Sequence, residues 1–136
     1  MTVKKVLKGI AIGISALFIL AVCFLGYMRW SMQSGLDKWC TTAQQHHPHP
    51  GDDVKALLEY VQSDTHSLRK RNLVVWALGQ ARDNRALPVL EGYYTGEKCD
   101  HDRTLCQGEL AKAIKLCKEG ALKIPFIRTP KVSPQQ

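Results

Sequence analysis

The sequence contains no G-x-S-x-G, no glycine-rich phosphate loop, no H-E-x-x-H and no C-x-x-C-H. The common signatures of nucleophile-elbow hydrolases, nucleotide binding, zinc hydrolysis and c-type haem attachment are therefore absent. It also lacks C-x-x-C and H-x-x-x-H, the close ligand pairs that zinc sites favour. Aromatic residues make up only 7%, and no basic stripe has aromatics interleaved along it. The net charge of +7 is thus not a nucleic-acid footprint. Four of the 19 basic residues, Lys4, Lys5, Lys8 and Arg29, flank one apolar run. Removing them leaves 15 basic against 12 acidic side chains over residues 30–136, a net of +3. Neither a catalytic residue, a cofactor nor a nucleic-acid partner is expected.

What the chain does have is an uncharged stretch from Gly9 to Met28, GIAIGISALFILAVCFLGYM. At about 1.5 Å per residue its twenty positions reach roughly 30 Å, enough to cross the hydrocarbon of a bilayer. A cleaved signal peptide would have a shorter core of about 7–15 residues and small residues at its end. Nothing of that kind follows Met28, and Leu20-Ala21-Val22-Cys23 matches a lipoprotein cleavage box only loosely. An uncleaved anchor over 9–28 is expected, after a basic N-terminus over 1–8. Three lysines precede the run and only Arg29 follows closely, so the positive-inside rule places the N-terminus in the cytoplasm. A single-pass protein with its folded part outside follows, most simply in the bacterial inner membrane facing the periplasm. Gly9 and Gly13 form a G-x-x-x-G pair through which two anchors could dimerise.

Cys23 lies within the apolar run, which leaves an even set outside it: Cys40, Cys99, Cys106 and Cys117. Four cysteines in a small extracytoplasmic domain read as two disulfides with three possible connectivities. Cys106 and Cys117 on one helix would stand about 16 Å apart, well beyond the roughly 7 Å a disulfide tolerates between α-carbons. The expected bridges are Cys99 with Cys106 and Cys40 with Cys117. A metal reading draws on His46, His47 and His49 near Cys40, and on His101 between Cys99 and Cys106. The segment HHPHPGDD is expected to be a solvated turn, and no metal is assigned.

Past the anchor, residues 29–51 form a juxtamembrane helix and linker, with Leu36, Trp39 and Cys40 on one side and a break from His46 to Gly51. Asp52 or Asp53 caps the next helix, whose buried stripe is Val54, Leu57, Leu58 and Val61. A turn at Ser63-Asp64-Thr65 leads into a helix over Ser67 to Ala81, apolar nearly all round and so expected to be covered on several sides. Asp83 or Asn84 caps a third helix running to about Tyr94, with Pro88 in its first turns. A fourth spans about Thr104 to Glu119, with Gly120 as its C-terminal cap. Residues 121–136 read as a strap across the last hairpin that ends in a polar tail.

At an offset of 32 residues Leu58 meets Leu90, Arg71 meets Arg103, Leu78 meets Leu110 and Ala81 meets Ala113, a period typical of stacked helical hairpins. Arg71, then Trp76-Ala77-Leu78-Gly79, Asp83, Arg85, Ala86, Leu87, Pro88 and Leu90, resembles HEAT repeats, especially the short HEAT-like type first associated with phycobilisome lyases. The resemblance covers about Asp53 to Cys117. It implies an all-α fold, a short α-solenoid of two HEAT-like hairpins over 52–120, which would follow the transmembrane helix read from the apolar run. It also implies a scaffold that binds other proteins and carries no catalytic residues.

The expected function is therefore a membrane-anchored protein-interaction module, an adaptor or assembly partner for another membrane or extracytoplasmic protein. Its contact patch is expected on the second helix of the first hairpin, at Arg69, Asn72, Trp76 and Gln80, because tryptophan and arginine are typical interface anchors. The rival is thiol-redox or metal handling by the Cys99, His101 and Cys106 loop.

Overall fold

The computed structural model describes residues 3–120, so the expected strap over 121–136 lies outside the described residues. Those residues are helical, with no strand among them. The helices are α1 (Val3–His46), α2 (Asp53–Gln62), α3 (Leu68–Ala81), α4 (Leu87–Tyr93), which a short 3-10 turn (Asn84–Ala86) leads into, and α5 (Gln107–Glu119). The chain divides into two compact units, Met1–Ser34 and Gly35–Gln136.

In the first unit α1 exposes apolar side chains on every side, among them Ile12, Leu17, Phe18, Leu20, Phe24 and Leu25. It is, among the described residues, the one helix long and apolar enough to cross a membrane. The second unit begins earlier than the break at residues 46–51 suggests. From Gly35 onward α1 supplies Leu36, Cys40 and Ala43 to the core, so the end of this helix is part of the folded unit.

Within that unit α2 packs on α3, α4 on α5, and α3 on α5. Helix α3 is covered on two sides, as its apolar periphery requires: Val74, Val75, Ala77 and Leu78 are fully buried, while Leu73 stays exposed. Gly79 lies inside α3, where a β-carbon would sit 2.9 Å from Ala113 Cα and 3.1 Å from Ala113 Cβ. Glycine is needed there because the two helices cross almost in backbone contact. Helix α3 ends at Arg82, which takes the left-handed conformation (φ 52°) that terminates helices.

Side chains close the remaining ends. Asp52 accepts the Lys55 N–H and caps α2, Asp83 accepts the Arg85 N–H at the 3-10 turn, and Pro88 stands at the start of α4, where its missing donor costs least. Arg85 reaches back to Asp52 at 2.8 Å and to Asp83 at 3.0 Å, joining two caps that are distant in sequence. Burial alone would raise the Asp52 carboxyl; the Arg85 hydrogen bond and charge and the Lys55 amide outweigh it and hold the group below the usual range. Arg71 is buried within α3 and donates from Nε to the Val61 carbonyl at 2.7 Å. It thus satisfies one of the last-turn carbonyls that α2 leaves open. Arg103, its partner at the 32-residue offset, is exposed in the loop before α5.

Candidate functional site

The loop between α4 and α5 is where chemically capable side chains converge. Gln107, at the first position of α5, is buried and ties both ends of the loop together. Its Oε1 accepts the Thr95 N–H at 2.8 Å, and its Nε2 donates to the carbonyls of Tyr93 (3.3 Å) and Leu105 (3.1 Å). Further along, the Asp100 carbonyl accepts from Thr104 N–H at 2.9 Å and Arg103 N–H at 3.3 Å, which makes a tight turn. The Asp100 carboxylate accepts the Asp102 N–H at 3.2 Å. Leu105 then plugs into the core, and the Cys106 N–H donates to Asn72 Oδ1 of α3 at 2.8 Å.

This folding brings Cys99, His101 and Cys106 together, with one ligand atom from each within 4.8 Å of the others. The two sulfurs are 3.3 Å apart. The Gly108 N–H, in the first turn of α5, donates to Cys99 Sγ at 3.3 Å. That amide, followed by the Cys106 side chain, lowers the Cys99 thiol below its ordinary value, the usual effect of a helix start on a sulfur. Helix α5 begins at Gln107 rather than near Thr104, so Cys106 is its capping residue and not part of its first turn.

None of the five cysteines is bridged in this structure. Cys99 and Cys106, expected as a pair, have adjacent sulfurs. Cys40 and Cys117, the other expected pair, are both buried and have different neighbours. Cys117 Sγ donates to the Leu78 carbonyl at 3.5 Å, whereas the charges acting on Cys40 are those of Asp53 and Asp37. Burial pushes the Cys40 thiol up to about 12 and the Cys117 thiol up to about 11. Both behave as small core residues.

Of the four residues expected to form a contact patch, Arg69, Asn72 and Trp76 line a groove of about 570 Å³ together with Leu73, His101 and Asp102. Gln80 lines a smaller neighbouring groove of about 320 Å³ that shares Trp76 and Glu109. Trp76 is half-buried and its ring edge rests near Gly35 of α1, where a β-carbon would lie 3.3 Å away. Asn72 also has a structural duty, since it caps the Cys106 amide.

A second cluster was not legible in sequence. His66 stacks on Tyr60 with ring centroids 3.7 Å apart and 5° between planes. His47 Nε2 lies 3.2 Å from His66 Nε2, and His49 Nε2 reaches Glu59 at 2.8 Å. The HHPHP turn is therefore packed against α2 and the α2–α3 connection rather than solvated throughout. Gln107, Gly108 and Tyr60 gave no motif; their roles arise only where distant segments meet. No family model matches the chain, and no curated protein and no solved structure matches it.

Proposed function

We propose that this chain is a single-pass membrane protein whose second unit is a docking module for another membrane or extracytoplasmic protein. On this reading residues 9–28 anchor it, the lysine-bearing N-terminus stays in the cytoplasm, and the helical unit faces the periplasm of a bacterium. The helices α2 to α5 are two short HEAT-like hairpins forming a solenoid fragment, and the end of α1 serves as its cap. Gly9 and Gly13 offer a seam for self-association of the anchor.

The observation that carries the docking role is the groove along α3, where exposed Leu73 lies between exposed Arg69 and half-buried Trp76 on one helix face. Tryptophan and arginine beside an open apolar surface are the residues that dominate binding at protein interfaces. The test is a photo-crosslinking amino acid at Leu73 of the full chain in native membranes. One dominant protein adduct is expected, lost with Arg69→Glu while the chain stays in the membrane. Absence of an adduct, or one indifferent to Arg69→Glu, would remove the docking role. The rival reading, thiol or metal chemistry, draws on the convergence of Cys99, His101 and Cys106.

A further inference from the structure

We propose that Cys99, His101 and Cys106 bind one borderline-soft divalent cation, zinc(II), with a water molecule in the fourth position. The inference is independent of the docking reading and gives the rival reading a specific ligand.

Two thiolates and an imidazole are the donor set that zinc selects over hard-cation chemistry. Zinc–sulfur bonds of about 2.3 Å in tetrahedral geometry place two sulfurs about 3.8 Å apart. The observed 3.3 Å therefore needs the sulfurs to part by only about 0.5 Å, on a loop where Cys99 is exposed and Cys106 half-exposed. His101 already has a ring nitrogen within 4.8 Å of both sulfurs.

The supporting shell is also in place. The Gly108 N–H points at Cys99 Sγ, a donor to a ligating sulfur of the kind that tunes and orients metal ligands. Cys106 is fixed from behind, because its own N–H is held by Asn72 and the next residue, Gln107, is buried and fully engaged. Asp100 shapes the turn that returns His101 toward the sulfurs. No fourth side-chain donor joins the group among the described residues. Three protein ligands leave one position of the ion open to water or another ligand, unlike a closed structural site. Binding releases the two thiol protons to solvent.

The experiment titrates cobalt(II), a spectroscopic stand-in for zinc, into the reduced full chain in detergent micelles under anaerobic conditions. One equivalent should bind, with a near-ultraviolet sulfur-to-cobalt charge-transfer band and visible bands of tetrahedral intensity, and zinc should displace it. Cys99→Ser and Cys106→Ser should each abolish the charge-transfer band, and His101→Ala should weaken binding at least tenfold. His66→Gln, in the other histidine cluster, should change nothing. Far-UV circular dichroism verifies that each variant keeps its helices. The proposal is overturned by absence of the band in the unaltered chain, by its persistence in Cys99→Ser, by indifference to His101→Ala, or by its loss in His66→Gln.

Discussion

Replacing Gly79 with alanine sets two known effects against each other, and the structure says which wins. In a helix interior alanine is favoured over glycine by about 1 kcal/mol. At Gly79 the added methyl would meet Ala113 Cα at 2.9 Å and Ala113 Cβ at 3.1 Å. Ordinary contact between carbons begins near 3.5–4.0 Å, so α5 would have to move away by roughly half an ångström or more. The obstacle is backbone, which cannot rotate aside as a side chain can. Moving α5 also loosens Leu110, Ile114 and Cys117, which are buried in the same core. Overpacking of this kind costs about 1–3 kcal/mol, which exceeds the propensity gain at most of that range. Gly79→Ala is therefore expected to destabilise the unit by about 1 kcal/mol net. Gly92 supplies the control: it lies in α4, where an added methyl would meet nothing within 4 Å among the described residues, so Gly92→Ala should stabilise by a few tenths of a kcal/mol, up to about 1. The assay is chemical denaturation of the full chain in micelles, followed by circular dichroism. Equal stabilisation by both substitutions would refute the close crossing of α3 and α5.

Arg71→Met should cost about 2–3 kcal/mol because it leaves the buried Val61 carbonyl without its donor. Asp64→Asn should cost under about 1 kcal/mol, since that partner is 93% exposed; comparable losses in the same denaturation assay would contradict this apportioning. Tyr60→Phe should be neutral or stabilising by up to about 1 kcal/mol, because the buried hydroxyl has no hydrogen-bond partner among the described residues; a loss above about 1 kcal/mol would mean that the hydroxyl is satisfied in solution. His66 titrates below its ordinary range, first through burial and then through the charges of His46, His47, Lys70 and Arg71. The unfolded chain therefore takes up this proton first, near pH 6.5. The contribution of His66 is complete above that value and is lost as pH falls below it. His66→Phe, which keeps the stack on Tyr60, should flatten the decline between about pH 7 and 5; an unchanged profile would place the acid sensitivity elsewhere.

The helical class and most helix limits were readable because they depend on local signals. Asp52 and Asp83 cap where capping chemistry puts them. Val54, Leu57 and Val61 of the expected α2 stripe are buried, while Leu58 is only partly so; α3 is buried along Val74, Val75, Ala77 and Leu78 but not at Leu73. Local signals failed where a residue answers to a distant one. Nothing in the neighbours of Gly79 marks its role, which lies in the close approach of Ala113. The start of α5 reads as Thr104 from the cysteine and apolar spacing, yet the Asp100 turn and the Asn72 bond delay it to Gln107.

The candidate site divides the same way. Cys99, His101 and Cys106 lie within eight positions of one another, so a short turn is bound to bring them near, and the sequence alone marked them. Cys40 and Cys117 are separated by most of the folded unit, and an even cysteine count carries no information on which faces they occupy. Only packing decided that both are buried, and among which neighbours. By itself the sequence determined the apolar run, the helices and the local cysteine–histidine loop, all set by interactions within a few turns. The tertiary structure alone decided the α3–α5 crossing, the groove beside Trp76 and the histidine cluster on Tyr60, because each is made by side chains whose proximity depends on how whole helices pack.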